Sequence, residues 1–240
     1  MSESVASNGL NIIMGIFAHP DDPEFYCGGT FARWAAEGKR VIFVLATSGD
    51  KGWKDLTITP QQLVEIREAE ERAAAAKLGV EEVLFLRYPD GELQPTLDLR
   101  RQLTRLIRLK KPDAVVTNDP TARWYGTHYL NHPDHRAIGD AALDAVFPSA
   151  RDHLTFPELY QVEDLAPHKV TTVYLCGTHD PSARIDVTAY LDVKIAALRE
   201  HKSQIADMEQ MERRQRENVD AELIGDGPRY SEAFRVFNLR

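Results

Sequence analysis

Apolar residues along this chain follow two patterns that alternate from one end to the other. Short unbroken apolar runs, typical of buried parallel strands, occur at residues 10–17, 41–46, 83–86, 114–117 and 170–175. Segments with helical spacing or helix start and stop signals occupy residues 28–37, 60–78, 97–109, 135–146 and 190–205. This alternation predicts an α/β fold, a doubly wound and mostly parallel sheet with strand order about 3-2-1-4-5 and helices on both faces.

Several boundaries carry signals of their own. Thr59 and Gln62 have the spacing of a capping box, which predicts where the second helix begins. Residues 183–187 are a candidate sixth strand, and residues 231–237 are either a last strand or an ordered tail. The polar stretch at 207–219 either continues the preceding helix or begins another one.

Composition and charge narrow the class of protein. The chain has 240 residues, 43% of them hydrophobic, which suits a single domain over residues 10–240 behind a flexible N-terminus at 1–9. Its net charge of -8 disfavours nucleic acid and anionic membranes as partners. No apolar run approaches the roughly 20 residues of a membrane span. Without a signal-peptide pattern, and with only Cys27 and Cys176 as cysteines, we expect a cytoplasmic protein.

Two short clusters of histidine and aspartate dominate the candidate chemistry. Ala18-His19-Pro20-Asp21-Asp22 follows the first predicted strand, and His132-Pro133-Asp134-His135 follows the fourth after a long loop. In an open parallel sheet, ligands bind at the carboxyl ends of the strands where the strand order reverses, next to strands one and four. The pattern therefore predicts that the two clusters meet in space.

In the first cluster, His19 and Asp22 are three residues apart and can converge on one ion. Pro20 favours an extended chain before a sharp turn. Asp21, between the two candidate ligands, then points elsewhere and is free to take a proton from a water molecule on the ion. One His-Pro-Asp motif is as often a plain turn as a functional site. Two such motifs after predicted strands favour the functional interpretation.

In the second cluster, His132 and His135 have the same spacing, and Asp134 lies near a helix N-terminus, where negative charge is favoured. Two histidines and one aspartate are a typical ligand set for catalytic zinc, with the fourth position left for water. Spacing leaves open which of the two histidines binds. Zinc is the expected cofactor, although such ligands also accept other divalent transition metals. Together the clusters predict a metal-dependent hydrolase.

The paired motifs resemble those of the PIG-L family of zinc-dependent N-deacetylases, also called LmbE-like. Further matching segments are Cys27-Gly28-Gly29-Thr30, the helix at 67–79, Tyr88-Pro89-Asp90-Gly91, His201-Lys202-Ser203-Gln204 and the ending at 229–234. That ending is most similar to the diacetylchitobiose deacetylase branch, whose members form hexamers. The resemblance covers most of the chain. It implies removal of the N-acetyl group from an N-acetylglucosamine-type sugar or glycoside.

The resemblance also implies roles for the residues of both clusters. The metal ligands that it implies are His19, Asp22 and His135. It implies Asp21 as the general base that activates water. It implies His132 as the group that stabilises the oxyanion or protonates the leaving amine, with Asp134 orienting His132 through a hydrogen bond.

Substrate-binding residues carry weaker signals. The resemblance implies that Arg67 and Asp90 hold sugar hydroxyls. By themselves, Arg67 on a charged helix predicts a solvated face, and Asp90 in Pro-Asp-Gly predicts a turn. In the loop at 118–131, the rings of Trp124 and Tyr125 either stack on a sugar or simply pack the loop.

Other functions stay open on the sequence alone. The main alternative is a deacetylase of a thiol-glycoside precursor of the bacillithiol or mycothiol type. A nucleotide-binding Rossmann-like protein predicts Gly-x-Gly-x-x-Gly after the first strand, where this chain has His-Pro-Asp-Asp. A non-catalytic metal- or sugar-binding protein needs no spare base, yet Asp21 and His132 are both present. We expect an N-acetylated amino sugar as the small-molecule partner and a homo-oligomer, a trimer or hexamer.

Overall fold

The computed structural model describes residues 9–223 and 225–239, so the flexible N-terminus expected at 1–9 lies outside these residues except for Gly9. The main elements in chain order are β1 (Ile12–Phe17), α1 (Asp22–Ala36), β2 (Arg40–Thr47), α2 (Pro60–Leu78), β3 (Glu82–Tyr88), α3 (Leu97–Lys110), β4 (Ala114–Asn118), β5 (Trp124–Tyr125), β6 (Tyr129–Leu130), α4 (Pro133–Val146), α5 (Pro157–Gln161), β7 (Thr172–Cys176), β8 (Ala183–Asp186), α6 (Leu191–Leu198), α7 (Met208–Glu217) and β9 (Ser231–Asn238). The predicted capping box is present at the start of α2.

Seven strands form one sheet in the order β3-β2-β1-β4-β7-β9-β8. Strands β3, β2, β1, β4 and β7 are parallel neighbours. Because β7 is the predicted fifth strand, they reproduce the predicted order, and the α/β fold class is confirmed. Strand β9 pairs antiparallel with both β7 and β8, so the C-terminal segment is a strand that extends the sheet.

Side chains of each central strand alternate between two cores. In β2, Phe43 and Leu45 pack into the core that contains residues of α1, α2 and α6. Val44 and Ala46 point the other way, into the core formed with α3 and α4. Helices therefore cover both faces of the sheet, as predicted, and the carboxyl ends of the parallel strands form one edge. In the described part of the chain, no helix has the length and apolarity needed to cross a bilayer.

Helix α1 begins at Asp22, and the prediction that it begins at Gly28 is wrong. A proline in the first turn and the acidic residues Asp22 and Glu24 favour a helix start at this point. The glycine pair at residues 28 and 29 lies inside the helix. Glycine suits these positions because neighbouring side chains leave no room for larger residues. A Cβ on Gly29 would lie only 2.6 Å from the Cβ of Val187.

A buried ion pair between α6 and β9 contacts the backbone in the middle of α1. Lys194 Nζ lies 2.7 Å from Glu232 Oε1 and donates to the carbonyl of Phe25 at 2.9 Å. Glu232 accepts the backbone N–H of Gly29 at 3.0 Å. In a regular helix, the N–H of Gly29 donates to the carbonyl of Phe25 four residues earlier. Here the ion pair supplies a partner to each of these two groups.

The C-terminal helices also differ from the prediction. Helix α6 ends at Leu198, well before the predicted end at residue 205, and the polar stretch that follows contains the separate helix α7. In the turn after α6, His201 is fully buried. The loop predicted at 118–131 contains the short hairpin formed by β5 and β6.

Candidate active site

The two histidine–aspartate clusters meet at the edge formed by the carboxyl ends of the strands. Strands β1 and β4 are parallel neighbours, His19 follows β1, and His132 caps the helix that follows the loop after β4. The ring centroid of His19 lies 4.6 Å from that of His132 and 5.3 Å from that of His135. The predicted convergence of the clusters is confirmed.

Asp22 lies between two imidazoles. Its Oδ2 is 3.4 Å from Nδ1 of His19, and its Oδ1 is 3.0 Å from Nε2 of His135. All three residues are at most 7% exposed. A tetrahedral zinc ion with ligand bonds of about 2.0–2.1 Å keeps its ligand atoms about 3.3 Å apart. Each imidazole therefore lies about as far from the Asp22 carboxylate as two ligands of one zinc ion lie from each other.

The outer nitrogens of the same two imidazoles are already hydrogen bonded. His19 Nε2 lies 3.1 Å from Asp90 Oδ1 and 3.3 Å from Asp134 Oδ2. His135 Nδ1 lies 2.9 Å from the side-chain oxygen of Asn131. In the neutral rings that bind a metal, these acceptors favour a proton on the outer nitrogen, which leaves the nitrogen beside Asp22 free for the ion. This orientation is typical of metal-binding histidines.

The charge around His19 also favours a cation. The carboxylates of Asp22, Asp90 and Asp134 all approach this ring. Burial opposes ionisation of Asp22, but the neighbouring His135 and His19 outweigh it and hold the pKa of Asp22 well below its usual range. Burial opposes ionisation of His19, but the three acids outweigh it and raise the pKa of His19 above its usual value, because they stabilise positive charge at this point. A divalent cation bound here would be stabilised by the same carboxylates. The residues present fit a divalent metal.

His132 offers a second donor near the same point, but its hydrogen bond argues against ligation. Ring nitrogens of His19, His132 and His135 lie within 4.8 Å of one another. However, His132 Nδ1 accepts the backbone N–H of Asp134 at 3.2 Å, which places the proton of the neutral ring on Nε2. Burial and the nearby His19 lower the pKa of His132. His132 is therefore suited to act as a neutral N–H donor.

Asp134 does not make the expected side-chain hydrogen bond to His132. Their side-chain atoms Oδ1 and Nδ1 are 3.9 Å apart, beyond hydrogen-bond distance. The carboxylate of Asp134 is fully buried and accepts the backbone N–H of Gly91 at 2.7 Å and of Leu93 at 3.3 Å. It therefore ties the loop after β3 to the start of α4, while its Oδ2 contacts His19.

Asp21 has a strained backbone beside these donors. It is the residue before α1 and has a left-handed conformation, with φ 95° and ψ -27°. Its Oδ2 lies 3.5 Å from Nη2 of Arg67. Burial raises the pKa of Asp21 to about 6, although the charge of Arg67 opposes this shift. A general base is most effective when its pKa lies near the working pH, so Asp21 suits that role.

A cavity of about 610 Å³ opens over the two clusters, a size that suits a sugar. Beside the histidines and aspartates, its lining includes Phe25, Tyr26, Lys51, Gly52, Arg67, Tyr125, Tyr129 and Gln204. Of the predicted substrate-binding residues, Arg67, Asp90 and Tyr125 line the cavity. Among the described residues, Trp124 is outside this lining, with 57% of its surface exposed on the hairpin.

Arg67 is buried, so the prediction of a solvated face from the helix pattern is wrong. It is only 4% exposed and donates from Nη2 to the carbonyl of Pro20 at 2.7 Å. Gly49 has a left-handed φ of 64°, and a Cβ there would lie 2.0 Å from Nη1 of Arg67. Arg67 contacts Pro20 and Asp21, and Asp90 contacts His19. Sugar binding by Arg67 and Asp90 stays a prediction.

Sequence reasoning missed several residues that shape the site. Tyr26 and Asn131 both approach Nδ1 of His135, at 3.4 and 2.9 Å. Glu71 is fully buried beneath the first cluster, beside His201 of the matching segment at 201–204. A signal for Glu71 does exist, because it lies four residues after Arg67 on the helix face that also buries Leu63. No comparable sequence signal marks Asn131 or Tyr26.

Comparisons with known proteins agree with this geometry. Residues 14–146, more than half of the chain, match the PIG-L family, described as GlcNAc-PI de-N-acetylase. A diacetylchitobiose deacetylase of Thermococcus kodakarensis is 31% identical over 200 residues, which cover 83% of this chain and 72% of that protein. A 1D-myo-inositol 2-acetamido-2-deoxy-alpha-D-glucopyranoside deacetylase of Mycobacteroides abscessus is also 31% identical, covering 80% of this chain and 81% of that protein.

A solved structure shows the same likeness in three dimensions. The N,N'-diacetylchitobiose deacetylase from Pyrococcus horikoshii superimposes with a TM-score of 0.86 at 31% sequence identity. The superposition covers 96% of this chain and 85% of that chain. With a family match over more than half of its length and relatives of this similarity, the chain belongs to the PIG-L family.

Proposed function

We propose that this chain is a zinc-dependent N-deacetylase that removes the acetyl group from an N-acetylglucosamine-type sugar or glycoside. One observation carries the proposal. The outer nitrogens of His19 and His135 lie within hydrogen-bond distance of protein oxygens, and their inner nitrogens flank Asp22, while a further carboxylate, Asp21, lines the same cavity. That arrangement supplies both a set of metal ligands and a spare base.

In this proposal His19, Asp22 and His135 hold the metal. The bound ion supplies Lewis-acid polarisation of the acetamide carbonyl and lowers the pKa of water. Asp90, Asp134 and the side chain of Asn131 (the three outward partners) keep the imidazoles in the orientation described above. Removing one of these partners therefore weakens the binding of the ion without touching a ligand.

Asp21 is the proposed base. Its carboxylate takes one proton from the attacking water, whose oxygen forms a bond to the carbonyl carbon of the acetamide. The same proton is available for the nitrogen when the carbon–nitrogen bond breaks, so the products are acetate and a free amine. Because Arg67 lies 3.5 Å from Asp21, it limits how far burial can raise the pKa of this base.

His132 is proposed to stabilise the oxyanion. The backbone N–H of Asp134 occupies Nδ1 of this ring, and this leaves the Nε2–H as the group that can donate. A preorganised donor of this kind typically contributes about 10²–10³-fold to turnover. Protonation of the leaving amine by His132 is the second role open to the same N–H.

The substrate panel tests the function directly. We would load the purified chain with zinc and measure acetate and free amine from N-acetylglucosamine, N,N'-diacetylchitobiose and the myo-inositol glycoside of N-acetylglucosamine. About one zinc per chain and equal amounts of acetate and amine are expected. Chelation should abolish turnover, and addition of zinc, iron, cobalt or nickel should rank the metals. A chain that binds metal but releases no acetate from any of the three compounds would refute the proposal.

The same panel decides between the two sugar classes. Relatives named for diacetylchitobiose and for the myo-inositol glycoside have the same identity to this chain. Preference for the inositol compound would favour the thiol-glycoside precursor class over the chitobiose-like class.

Two further expectations belong to the proposal. The resemblance implies a trimer or hexamer, which light scattering after size-exclusion chromatography measures. The buried free cysteines Cys27 and Cys176 support a reducing, cytoplasmic location.

A further inference from the structure

The peptide group between Pro20 and Asp21 is held from both sides by one helix. Arg67 Nη2 donates to the carbonyl of Pro20 at 2.7 Å, and the backbone N–H of Asp21 donates to Glu71 Oε2 at 3.1 Å. These two groups belong to the same peptide unit. Arg67 and Glu71 are four residues apart on α2, so they extend from the same face of the helix.

The residue that follows this peptide bond is the one whose backbone is strained. Asp21 has a φ of 95°, a left-handed conformation that non-glycine residues rarely adopt. Such a conformation persists only where the surrounding structure holds it in place, and it is often found at functional sites. The two hydrogen bonds from α2 supply that restraint at the peptide group that fixes the φ of Asp21.

Two further polar residues, His201 and Glu24, lie behind Glu71. His201 Nε2 lies 3.4 Å from Glu24 Oε2 and 3.9 Å from Glu71 Oε2. All three residues are fully buried, and Glu71 Oε1 and both carboxylate oxygens of Glu24 have no hydrogen-bond partner among the described residues. None of the three lines the described cavity, so substrate in that cavity does not reach them.

We propose that Glu71 is a positioning residue, which holds the Asp21 carboxylate in its catalytic orientation by binding the backbone N–H of Asp21. The inference rests on the proposed function only in treating Asp21 as the base. Arg67 binds the opposite end of the same peptide group, and His201 and Glu24 are buried behind the Glu71 side chain. Turnover then depends on an acceptor atom at residue 71 that never contacts substrate.

The charge state of Glu71 indicates which substitution preserves this acceptor. Burial and the neighbouring Glu24 carboxylate raise the pKa of Glu71 well above its usual range. A neutral acid is closely imitated by glutamine, which keeps an oxygen at the same place. Glu71→Gln should therefore retain the hydrogen bond, whereas Glu71→Met keeps a similar length and removes the acceptor.

The kinetic test compares these two variants, each loaded with zinc. Glu71→Met should lower kcat by about 10–100-fold, because small displacements of a catalytic group have effects of this size. KM and zinc content should stay within about twofold of the starting values, since neither ligands nor cavity lining change. Glu71→Gln should keep kcat within about threefold. The matched control is Glu65→Met, an exposed glutamate of the same helix, which should leave all three quantities unchanged.

A second measurement needs neither substrate nor metal. In the chelated protein, the exchange rate of the Asp21 amide proton should rise about tenfold or more in Glu71→Met and stay low in Glu71→Gln. Where Glu71→Met does not fold, Glu71→Asp takes its place, because its shorter side chain withdraws the acceptor and keeps the carboxyl group. The same loss of kcat and faster exchange are expected for it.

The outcomes separate this inference from the proposed function. Unchanged amide exchange in the variants that remove or withdraw the acceptor overturns the positioning role, even if the chain is an active deacetylase. Unchanged kcat in those variants, or equal losses in Glu71→Gln, overturns it as well. Faster exchange in a chain that deacetylates none of the substrates would support the restraint on Asp21 and refute the deacetylase function.

Discussion

Helix α2 buries two glutamates, three residues apart, in opposite surroundings. The carboxylate of Glu68 accepts from Ser48 at 2.7 Å and from Arg87 at 2.8 Å, so it is paired with both a hydroxyl and a cation. The carboxyl group of Glu71 accepts the Asp21 amide on one oxygen and faces Glu24, another acid. One helix thus carries a paired acid and, less than one turn away, an acid crowded by another acid.

The two pKa shifts follow from these surroundings. Burial opposes ionisation of Glu68, but the hydrogen bonds from Arg87 and Ser48 outweigh it and lower the pKa of Glu68 to about 2. Burial and Glu24 raise the pKa of Glu71. Glu68, with its hydroxyl and cationic partners, joins α2 to neighbouring segments, whereas Glu71, crowded by another acid, lies behind the proposed base. The comparison separates residues that stabilise the fold from residues that serve the site.

The largest expected effect is a loss of turnover when the proposed base is replaced. Asp21→Asn should lower kcat by about 10²–10⁴-fold, because it removes the base. Asparagine tolerates the left-handed conformation, so thermal stability and zinc content should change little. Acetate release, metal analysis and a melting curve measure the three quantities. Asp192→Asn, an exposed aspartate of α6, is the matched control. Normal turnover in Asp21→Asn would contradict the assignment of the base.

The second effect is a loss of stability when a buried ion pair is broken. Lys194→Met should lower the free energy of unfolding by about 3–5 kcal/mol, because it leaves Glu232 buried without its cation. Turnover per folded molecule should stay within about threefold. Urea denaturation measures the loss. Lys77→Met, which removes an exposed pair with Glu200, should cost less than about 1 kcal/mol.

A double variant sharpens this result. Replacing both members of the buried pair, as Lys194→Met with Glu232→Leu, should recover part of the lost stability, since no unpaired charge remains. A loss in the double variant equal to the sum of the single losses would show that Lys194 and Glu232 act independently.

A smaller effect concerns the support of a ligand. Asn131→Ala should weaken zinc binding about 10–100-fold, because the outer nitrogen of His135 loses its acceptor. Titration with a competing chelator measures the affinity. Asn218→Ala, an exposed asparagine at the end of α7, provides the control. Unchanged affinity would mean that Asn131 does not orient His135.

The smallest effect is a pair of opposite pH dependences, measured as melting temperatures in chelator. The pKa of Glu68 is lowered in the folded state, so its stabilising contribution is present above about pH 4.5, the ordinary pKa of a glutamate, and is lost toward pH 2. The pKa of Glu71 is raised, so its contribution is present below about pH 4.5 and is lost as the pH rises.

Glutamine variants should isolate each contribution. The gap in melting temperature between the unsubstituted chain and Glu68→Gln should narrow as the pH falls, whereas the gap for Glu71→Gln should change in the opposite direction. Changes of about 2–4 °C correspond to about 1 kcal/mol in a chain of this size. Glu65→Gln should show a constant gap, and parallel slopes for the two buried sites would contradict the comparison.

Most of the secondary structure was predictable because it follows from local patterns. The apolar runs gave the five parallel strands, and the capping box at Thr59 and Gln62 gave the start of α2. The prediction failed for α1, where Gly28 was interpreted as a helix start. Its glycines instead accommodate side chains from a segment more than 150 residues later, such as Lys194.

In the candidate site, too, some features were predictable from the sequence and others were not. Convergence of His19 and His135 was predictable, because adjacent parallel strands place their carboxyl ends at one edge. The partners of Asp134 were not, because the backbone amides that it binds lie 43 and 41 residues away, and no spacing in the sequence links them to it. Burial of Arg67 was hidden by the many charges of its helix.

The sequence by itself determined the order of the five parallel strands, the meeting point of the two clusters and the kinds of group available there. These depend on periodicity and on the handed geometry of parallel sheets, which local sequence encodes. Only the tertiary structure decided which nitrogen of each imidazole faces inward, which peptide group α2 holds and which glutamate of α2 is crowded by another acid. Those outcomes depend on hydrogen bonds between side chains and distant backbone groups, and no spacing along the chain specifies them.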